Sequence, residues 1–208
     1  MSNSFFFFLF SFFKIKIPTF YNCLMSGLRY NPSWNLSGRP VIIRRKWYER
    51  FFAHHKGGSL IIGNRFCCNN KINSNSLGLI QPCVFNIAID NASIIIGNNV
   101  GISGSTINAA KKITIEDNVL IGSGCILSDT DSHPLLYNDR ITNNVSKTKS
   151  SPIVLKEGAF IGARCIILKG VTIGRHSVVG AGSVVTKSIP DYSVVCGNPA
   201  IVVRTQKE

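Results

Sequence analysis

Four histidines occur in the chain, His54, His55, His133 and His176. His133 stands apart, with Asp129 and Asp131 just before it and Pro134 stiffening the backbone after it. An imidazole titrates near neutrality, so it can take a proton from a hydroxyl or an amine. A carboxylate or a main-chain carbonyl on its second nitrogen would fix the tautomer, and Asp129 and Asp131 are the candidate supports. The same cluster also reads as a solvated loop, and its placement in the chain favours catalysis. The seven cysteines form no CxxC pair and no Cys/His cluster at zinc spacing. No spacing joins His54, His55 or His176 with His133, so no metal is expected. Cys125 and Cys165 fall at apolar positions and read as reduced core residues of an intracellular protein.

The element that must position His133 is a repeat of six. Leu155, Ile161, Ile167, Ile173, Val179 and Val185 share one phase. Two residues before each aliphatic after the first stand Ala159, Cys165, Val171, Ser177 and Ser183, and Gly162, Gly174 and Gly180 follow an aliphatic directly. Neither a helical period of 3.6 nor a strand period of 2 fits. A hexad is the mark of a solenoid, with one short strand per hexad and three strands per triangular coil. Such coils must stack to cover their apolar faces. Ile96 and Ile102, then Ile115, Ile121 and Leu127, extend the step upstream. Ile102 and Ile115 are 13 residues apart rather than 12, which predicts one bulged residue between Asn108 and Lys112. Further back the repeat is ragged, with Phe66 and Cys68 as inward candidates. Between Leu127 and Leu155 the step is 28 residues, so a long polar excursion leaves the solenoid there, and His133 opens it. Long excursions from rigid scaffolds are where binding and catalysis concentrate. The repeat is expected to end at Ile189-Pro190, because proline cannot donate to a further ladder.

A length of 208 residues with 45% hydrophobic content gives one domain with a sizeable core and excludes global disorder. The net charge of +13 is concentrated at the N-terminus, where Lys14, Lys16, Arg29, Arg39, Arg44, Arg45, Lys46 and Arg50 face Glu49 alone. That excess suits an anionic membrane surface or a polyphosphorylated ligand. No nucleic-acid motif is present, and a merely soluble basic surface is an equal alternative. The apolar run Phe5–Phe13 is too short to span a bilayer and a poor signal peptide. It reads either as an interfacial anchor flanked by Lys14 and Lys16 or as a short helix packed on protein.

Together the hexads, Asp129-Thr130-Asp131-Ser132-His133-Pro134, Arg140, Gly180 to Lys187 and Gly197-Asn198-Pro199-Ala200 resemble the hexapeptide-repeat acetyltransferases. The similarity is to their sugar O-acetyltransferase branch, that of galactoside, maltose, capsule and lipopolysaccharide acetyltransferases. It covers roughly Ile94 to Arg204. The resemblance implies an all-β, left-handed parallel β-helix and a homotrimer with active sites between subunits. It implies acetyl-CoA as co-substrate. His133 would be the general base for direct attack on the thioester, with no acyl-enzyme. Arg140 would order the loop or touch the acceptor. Ala163, Gly180, Ala181, Thr186, Lys187 and Arg204 would line the coenzyme A groove, the two cations meeting phosphates. Ile201 stands where galactoside enzymes carry a basic residue. Their acceptor-site asparagine is unmatched, and Ser103 and Ser105 are the polar groups left to substitute for it.

The expected organisation is an N-terminal irregular or helical extension over 1–59, a β-helix over 60–190 with one inserted loop at 129–151, and a tail over 191–208. The expected function is transfer of an acetyl group from acetyl-CoA to a sugar hydroxyl in surface-polysaccharide biosynthesis, on a free or lipid-linked acceptor. The expected setting is cytoplasmic, with the N-terminus able to reach the inner face of the membrane. An N-acetyltransferase acting on an amino sugar and a non-catalytic β-helix module are the alternatives.

Overall fold

The computed structural model describes residues 16–26, 28, 31–44 and 58–206. The Phe-rich run at Phe5–Phe13 and the pair His54-His55 lie outside the described residues. Apart from one N-terminal helix, the described residues form a left-handed parallel β-helix of triangular section. Its coils each contribute one strand to each of three faces. The first coil holds β1 (Asn35–Leu36), β2 (Val41–Arg44) and β3 (Ser59–Ile62), and the second β4 (Cys67–Asn69), β5 (Val84–Ile87) and β6 (Ser93–Ile96). The third holds β7 (Gly101–Ser103), β8 (Thr106–Ala109) and β9 (Lys112–Ile115), and the fourth β10 (Leu120–Ser123), β11 (Ile126–Ser128) and β12 (Ile153–Leu155). The fifth holds β13 (Phe160–Ile161), β14 (Ile166–Ile167) and β15 (Thr172–Ile173), and the sixth β16 (Val178–Val179) and β17 (Val184–Val185). The hairpin β18 (Ser193–Gly197) and β19 (Ala200–Thr205) closes the chain. The first face runs β1-β4-β7-β10-β13-β16-β18-β19, the second β2-β5-β8-β11-β14-β17 and the third β3-β6-β9-β12-β15.

The inward hexad positions make the core. Ile161, Ile167, Ile173, Val179 and Val185 are fully buried, as are Phe66, Cys68, Cys125 and Cys165. Where coils approach most closely only glycine fits: a Cβ on Gly162 would lie 2.6 Å from the Ala181 backbone nitrogen. The corner between the third and first faces puts Asn99, Asn118, Gly158, His176 and Tyr192 in the left-handed region, one residue per coil. His176 is thus a corner residue, stacked on Tyr192 with ring centroids 5.4 Å apart.

Helix α1 (Ile17–Ser26) covers the open N-terminal end. Pro18, in its first turn, has no N–H to leave unpaired. Asn22 donates to the Leu36 carbonyl at 3.0 Å, and Thr19 Oγ1 accepts from the Leu36 N–H at 3.2 Å. Trp34 and Phe66 meet edge to face beneath it.

Four features depart from the sequence reading. The solenoid starts at β1 and β2, inside the 1–59 stretch expected to be an irregular or helical extension, because both strands pair in parallel with the second coil. The net slip of one residue between Ile102 and Ile115 is two opposite changes. β7 and β10 shift register between Ile121 and Ser123, so the corner after Ile102 is one residue short, and the next corner, at Ala109 to Lys112, is two residues long. Pro190 does not end the solenoid. It sits in a corner rather than within a strand, and β18 adds a further parallel rung on β16. Finally, the 129–151 excursion is not the only one among the described residues. Residues 70–83 also leave the coil, between β4 and β5. The Asn70 side chain ties the base of that excursion, accepting from the Cys83 N–H at 2.8 Å and donating to the Gly38 carbonyl at 3.0 Å.

Candidate active site

The excursion bearing His133 rises from the fourth coil at the corner between the second and third faces. A polar ladder on the second face leads up to it, with Asn86 donating to Asn108 at 2.7 Å and Asn108 to Ser128 at 3.1 Å. Its two stems pair across Thr130 and Ser150. Its body is a single helical turn, α2 (Tyr137–Ile141), followed by a 3-10 turn at Val145–Lys147. His133 is exposed, and its backbone N–H donates to the Asp131 carbonyl at 2.7 Å. The Arg140 guanidinium folds back onto the carbonyls of Pro134 and Leu135, so it ties the backbone that follows His133.

The two supporting aspartates separate in role. Asp129 is fully buried, and its oxygens accept from the N–H groups of Ala110, Lys111 and Lys112 at 2.6, 2.8 and 2.7 Å. Those donors line the two-residue enlargement of the third coil's corner, so Asp129 holds that corner and is not a partner for His133. Asp131 pairs through Oδ1 with Lys169 Nζ at 2.5 Å, while its buried Oδ2 has no hydrogen-bond partner among the described residues.

Ser103 and Ser105 do not offer themselves to an acceptor. Ser105 is fully buried; its hydroxyl bridges the Ser103 and Gly122 carbonyls and accepts from the Cys125 N–H, each at 2.9 Å. Ser103 is nearly buried, takes a hydrogen bond from Asn69 at 3.0 Å and lies at a corner covered by Leu79 and Gln81.

The residues expected to line a coenzyme A groove divide among two corners and the closing hairpin. Ala163 and Ala181 lie in a groove of about 530 Å³ at the corner between the first and second faces. Its floor comes from the fourth to sixth coils, through Ser123, Gly124, Arg164 and Gly182 beside the two alanines, and its wall is Leu77 to Ile80 of the 70–83 excursion. Gly180 adjoins this floor, where a Cβ would meet the Cys196 side chain at 3.0 Å. Thr186 and Lys187 follow β17 at the opposite end of the second face, five or more extended residues away, on the order of 15 Å. Arg204 projects from β19, in register with Val194. Beneath the floor, the Cys125 thiol donates to the Gly162 carbonyl at 3.0 Å and the Cys165 thiol to the Gly180 carbonyl at 3.1 Å. The hydrogen bond to Cys165, then burial, pushes the Cys125 thiol up. Neither is exposed, so neither can act as a nucleophile.

Two parts of this site escaped the sequence reading, the apolar wall from 77–80 and Arg164. The signal for the first was the 17-residue step between the inward residues Cys68 and Phe85. Among the described residues no group of three or more His, Cys, Asp or Glu side chains could hold a metal ion, and no helix is long and apolar enough to cross a membrane.

Residues 152–187 match the family model for bacterial transferase hexapeptide (six repeats), and residues 112–128 that for the hexapeptide repeat of succinyl-transferase. Galactoside O-acetyltransferase of Escherichia coli is 44% identical over 92 residues, which is 44% of this chain and 43% of that enzyme. Acetyltransferase-like proteins of Staphylococcus aureus are 47% identical over 75 residues, 36% of either chain. The chain thus spans less than half the length of these curated relatives. Among solved structures, a hexapeptide-repeat-containing acetyltransferase of Vibrio cholerae is 30% identical with a TM-score of 0.53, covering 74% of each chain. A second structure of that protein, at 28% identity, a TM-score of 0.50 and coverage of 74% of this chain and 72% of that one, is a complex with acetyl coenzyme A. A maltose O-acetyltransferase of Clostridium difficile is 26% identical with a TM-score of 0.51, covering 79% of each chain. With the solenoid, the corner glycines and these similarities together, the chain belongs to the hexapeptide-repeat acetyltransferase family.

Proposed function

We propose that the protein is an acetyl-CoA-dependent O-acetyltransferase that esterifies a sugar hydroxyl in surface-polysaccharide assembly, on the cytoplasmic side of the membrane. One observation carries the reading. The groove floored by Ala163 and Ala181 spans the fourth to sixth coils and the excursion bearing His133 rises from the fourth, but they sit on opposite corners of one face. A single protomer cannot bring them onto one ligand. Two neighbours can, each lending one corner, and a closed trimer repeats that head-to-tail contact three times. The exposed apolar side chains of the excursion, Leu135, Leu136, Tyr137 and Ile141, suit burial against such a neighbour. Thr186 and Lys187 then stand on the His133 side of the shared cleft, and Ala163, Gly180 and Ala181 on the other. Lys187 and Arg204 supply cations for the donor's phosphates at the C-terminal end.

In this cleft the His133 imidazole takes the proton of the acceptor hydroxyl as the oxygen attacks the thioester carbonyl. The C–O bond forms, the C–S bond breaks, and the proton passes from the imidazolium to the departing coenzyme A thiolate. Arg140 holds the backbone beside His133. Asp131, anchored on Lys169, is the carboxylate left to orient it.

The test is thiol release from acetyl-CoA across a panel of free and lipid-linked sugars, with product lability to hydroxylamine separating an ester from an amide. His133→Ala is expected to lower turnover by about a hundred- to ten-thousand-fold while coenzyme A still binds. Undiminished turnover in that variant would remove the mechanism, and a hydroxylamine-stable product would mark an amine acceptor.

A further inference from the structure

The apolar wall of the groove has no role in acetyl transfer as such. It is built by residues 70–83, and it is firmly held. Leu79 is nearly buried, with its side chain over Gly104, where a Cβ would meet Leu79 Cδ2 at 3.0 Å. Gln81 donates to Thr106 Oγ1 at 2.8 Å, and the Asn70 side chain closes the base. Held this way, the excursion presents Leu77 and Ile80 to the groove, 69% and 84% exposed. Between them Gly78 turns with φ +71, and no atom lies within 4 Å of where its Cβ would stand. Large apolar side chains lining a concavity mark a ligand surface more than singly scattered ones do.

Direction along the groove decides which part of a donor would reach them. Lys187 and Arg204 lie at the C-terminal end, so phosphates belong there. Ala163 and Ala181 lie on the fifth and sixth coils, and Ser123 and Gly124 on the fourth, the coil from which the His133 excursion also rises. A donor laid with its phosphates on the last coils carries its thioester toward the fourth. Beyond that point stands Leu79, packed over Gly104 of the third coil, with Leu77 and Ile80 beside it in the wall. An acetyl group has one methyl to set against three aliphatic side chains.

We propose that this wall is an acyl-chain pocket, so that acetyl-CoA is the shortest donor the protein accepts and straight chains of four to six carbons bind more tightly. The pocket rests on the donor-groove reading above. It adds a substrate class, short-chain fatty acyl-CoA thioesters, and names Ile80 and Leu77 as the side chains that select it.

Calorimetric titration of the full chain with coenzyme A, acetyl-CoA, butyryl-CoA and hexanoyl-CoA tests it without any acceptor. Kd is expected to fall about threefold to fourfold for each methylene buried, or roughly tenfold from acetyl to butyryl. Ile80→Trp fills the space and is expected to flatten the gradient. Because Ile80 is exposed, the variant is expected to melt with the parent, and its melting curve checks that it is folded. A constant Kd from acetyl to hexanoyl overturns the pocket while leaving the donor groove intact. So does an undiminished gradient in folded Ile80→Trp. Failure to bind coenzyme A at all overturns the donor groove itself, and the pocket with it.

Discussion

Asp129 and Asp131 are two residues apart, yet their surroundings give them unrelated tasks. Asp129 accepts three backbone N–H groups from the coil beneath, at a corner enlarged by two residues. Without the carboxylate those donors would be buried unpaired, at about 1–3 kcal/mol for each group that finds no substitute. Asp129→Ala is therefore expected to lower unfolding stability by roughly 3 kcal/mol in urea titration, whereas Asp129→Asn, keeping one acceptor oxygen, loses less. A drop in turnover with no loss of stability would instead make Asp129 the partner of His133. A comparable separation holds for the serines. Ser105 has its hydroxyl committed to three backbone groups, while Ser123, in phase with Ser103 on the next coil, borders the open groove.

At the scale of the elements, the coils are spaced by what their corners can accommodate. Gly162 stands with its missing Cβ 2.6 Å from the Ala181 nitrogen, 2.8 Å from its Cα and 2.8 Å from the Val179 carbonyl oxygen, all backbone atoms that cannot rotate away. Gly162→Ala is expected to cost about 1–3 kcal/mol in thermal or urea unfolding and to weaken coenzyme A binding, because the two coils it would force apart carry Ala163 and Ala181. A variant that melts with the parent would mean the corner is looser than these distances require. The hexads were legible in the sequence because each inward position is decided locally: Ile161, Ile167 and Ile173 meet the same environment once per face. The excursion at 129–151 was legible because polar residues interrupt the step outright. The one at 70–83 was missed, because Leu77, Leu79 and Ile80 are as apolar as a ragged repeat and mask the 17-residue step from Cys68 to Phe85. The role of Asp129 was hidden for a related reason. Its three donors lie 17 to 19 residues back, and nothing in the local pattern ties a carboxylate to a corner one coil below.

For the whole molecule, stability is a sum over neighbouring coils, and at the corner between the third and first faces a column of carboxylates joins them, as Asp129 does at another corner. Asp117 accepts from the Asn98 N–H at 2.7 Å and from its side-chain amide at 3.1 Å. Asp191 accepts from the Arg175 N–H at 2.9 Å and from Lys156 Nζ at 3.0 Å, while Arg175 also faces Glu157 at 3.7 Å. The backbone N–H of Asn98, then its side chain, holds the Asp117 carboxyl below the usual carboxylate value of 3.8, and the backbone N–H of Arg175, then Lys156, does the same for Asp191. A carboxyl depressed in the folded state binds its proton more readily in the unfolded chain. Its stabilising contribution is therefore complete above the unfolded value and is lost as pH falls through the folded one. The melting temperature is expected to hold from neutrality to about pH 5 and then to drop as pH passes below the ordinary carboxylate range. The double variant Asp117→Asn with Asp191→Asn is expected to melt lower than the parent at pH 7 and to show a shallower acid limb, because its corner no longer has those protons to bind. Scanning calorimetry between pH 3 and pH 7 reads both slopes. An acid limb as steep as the parent's in the double variant would assign acid unfolding to other groups than this column of corner carboxylates.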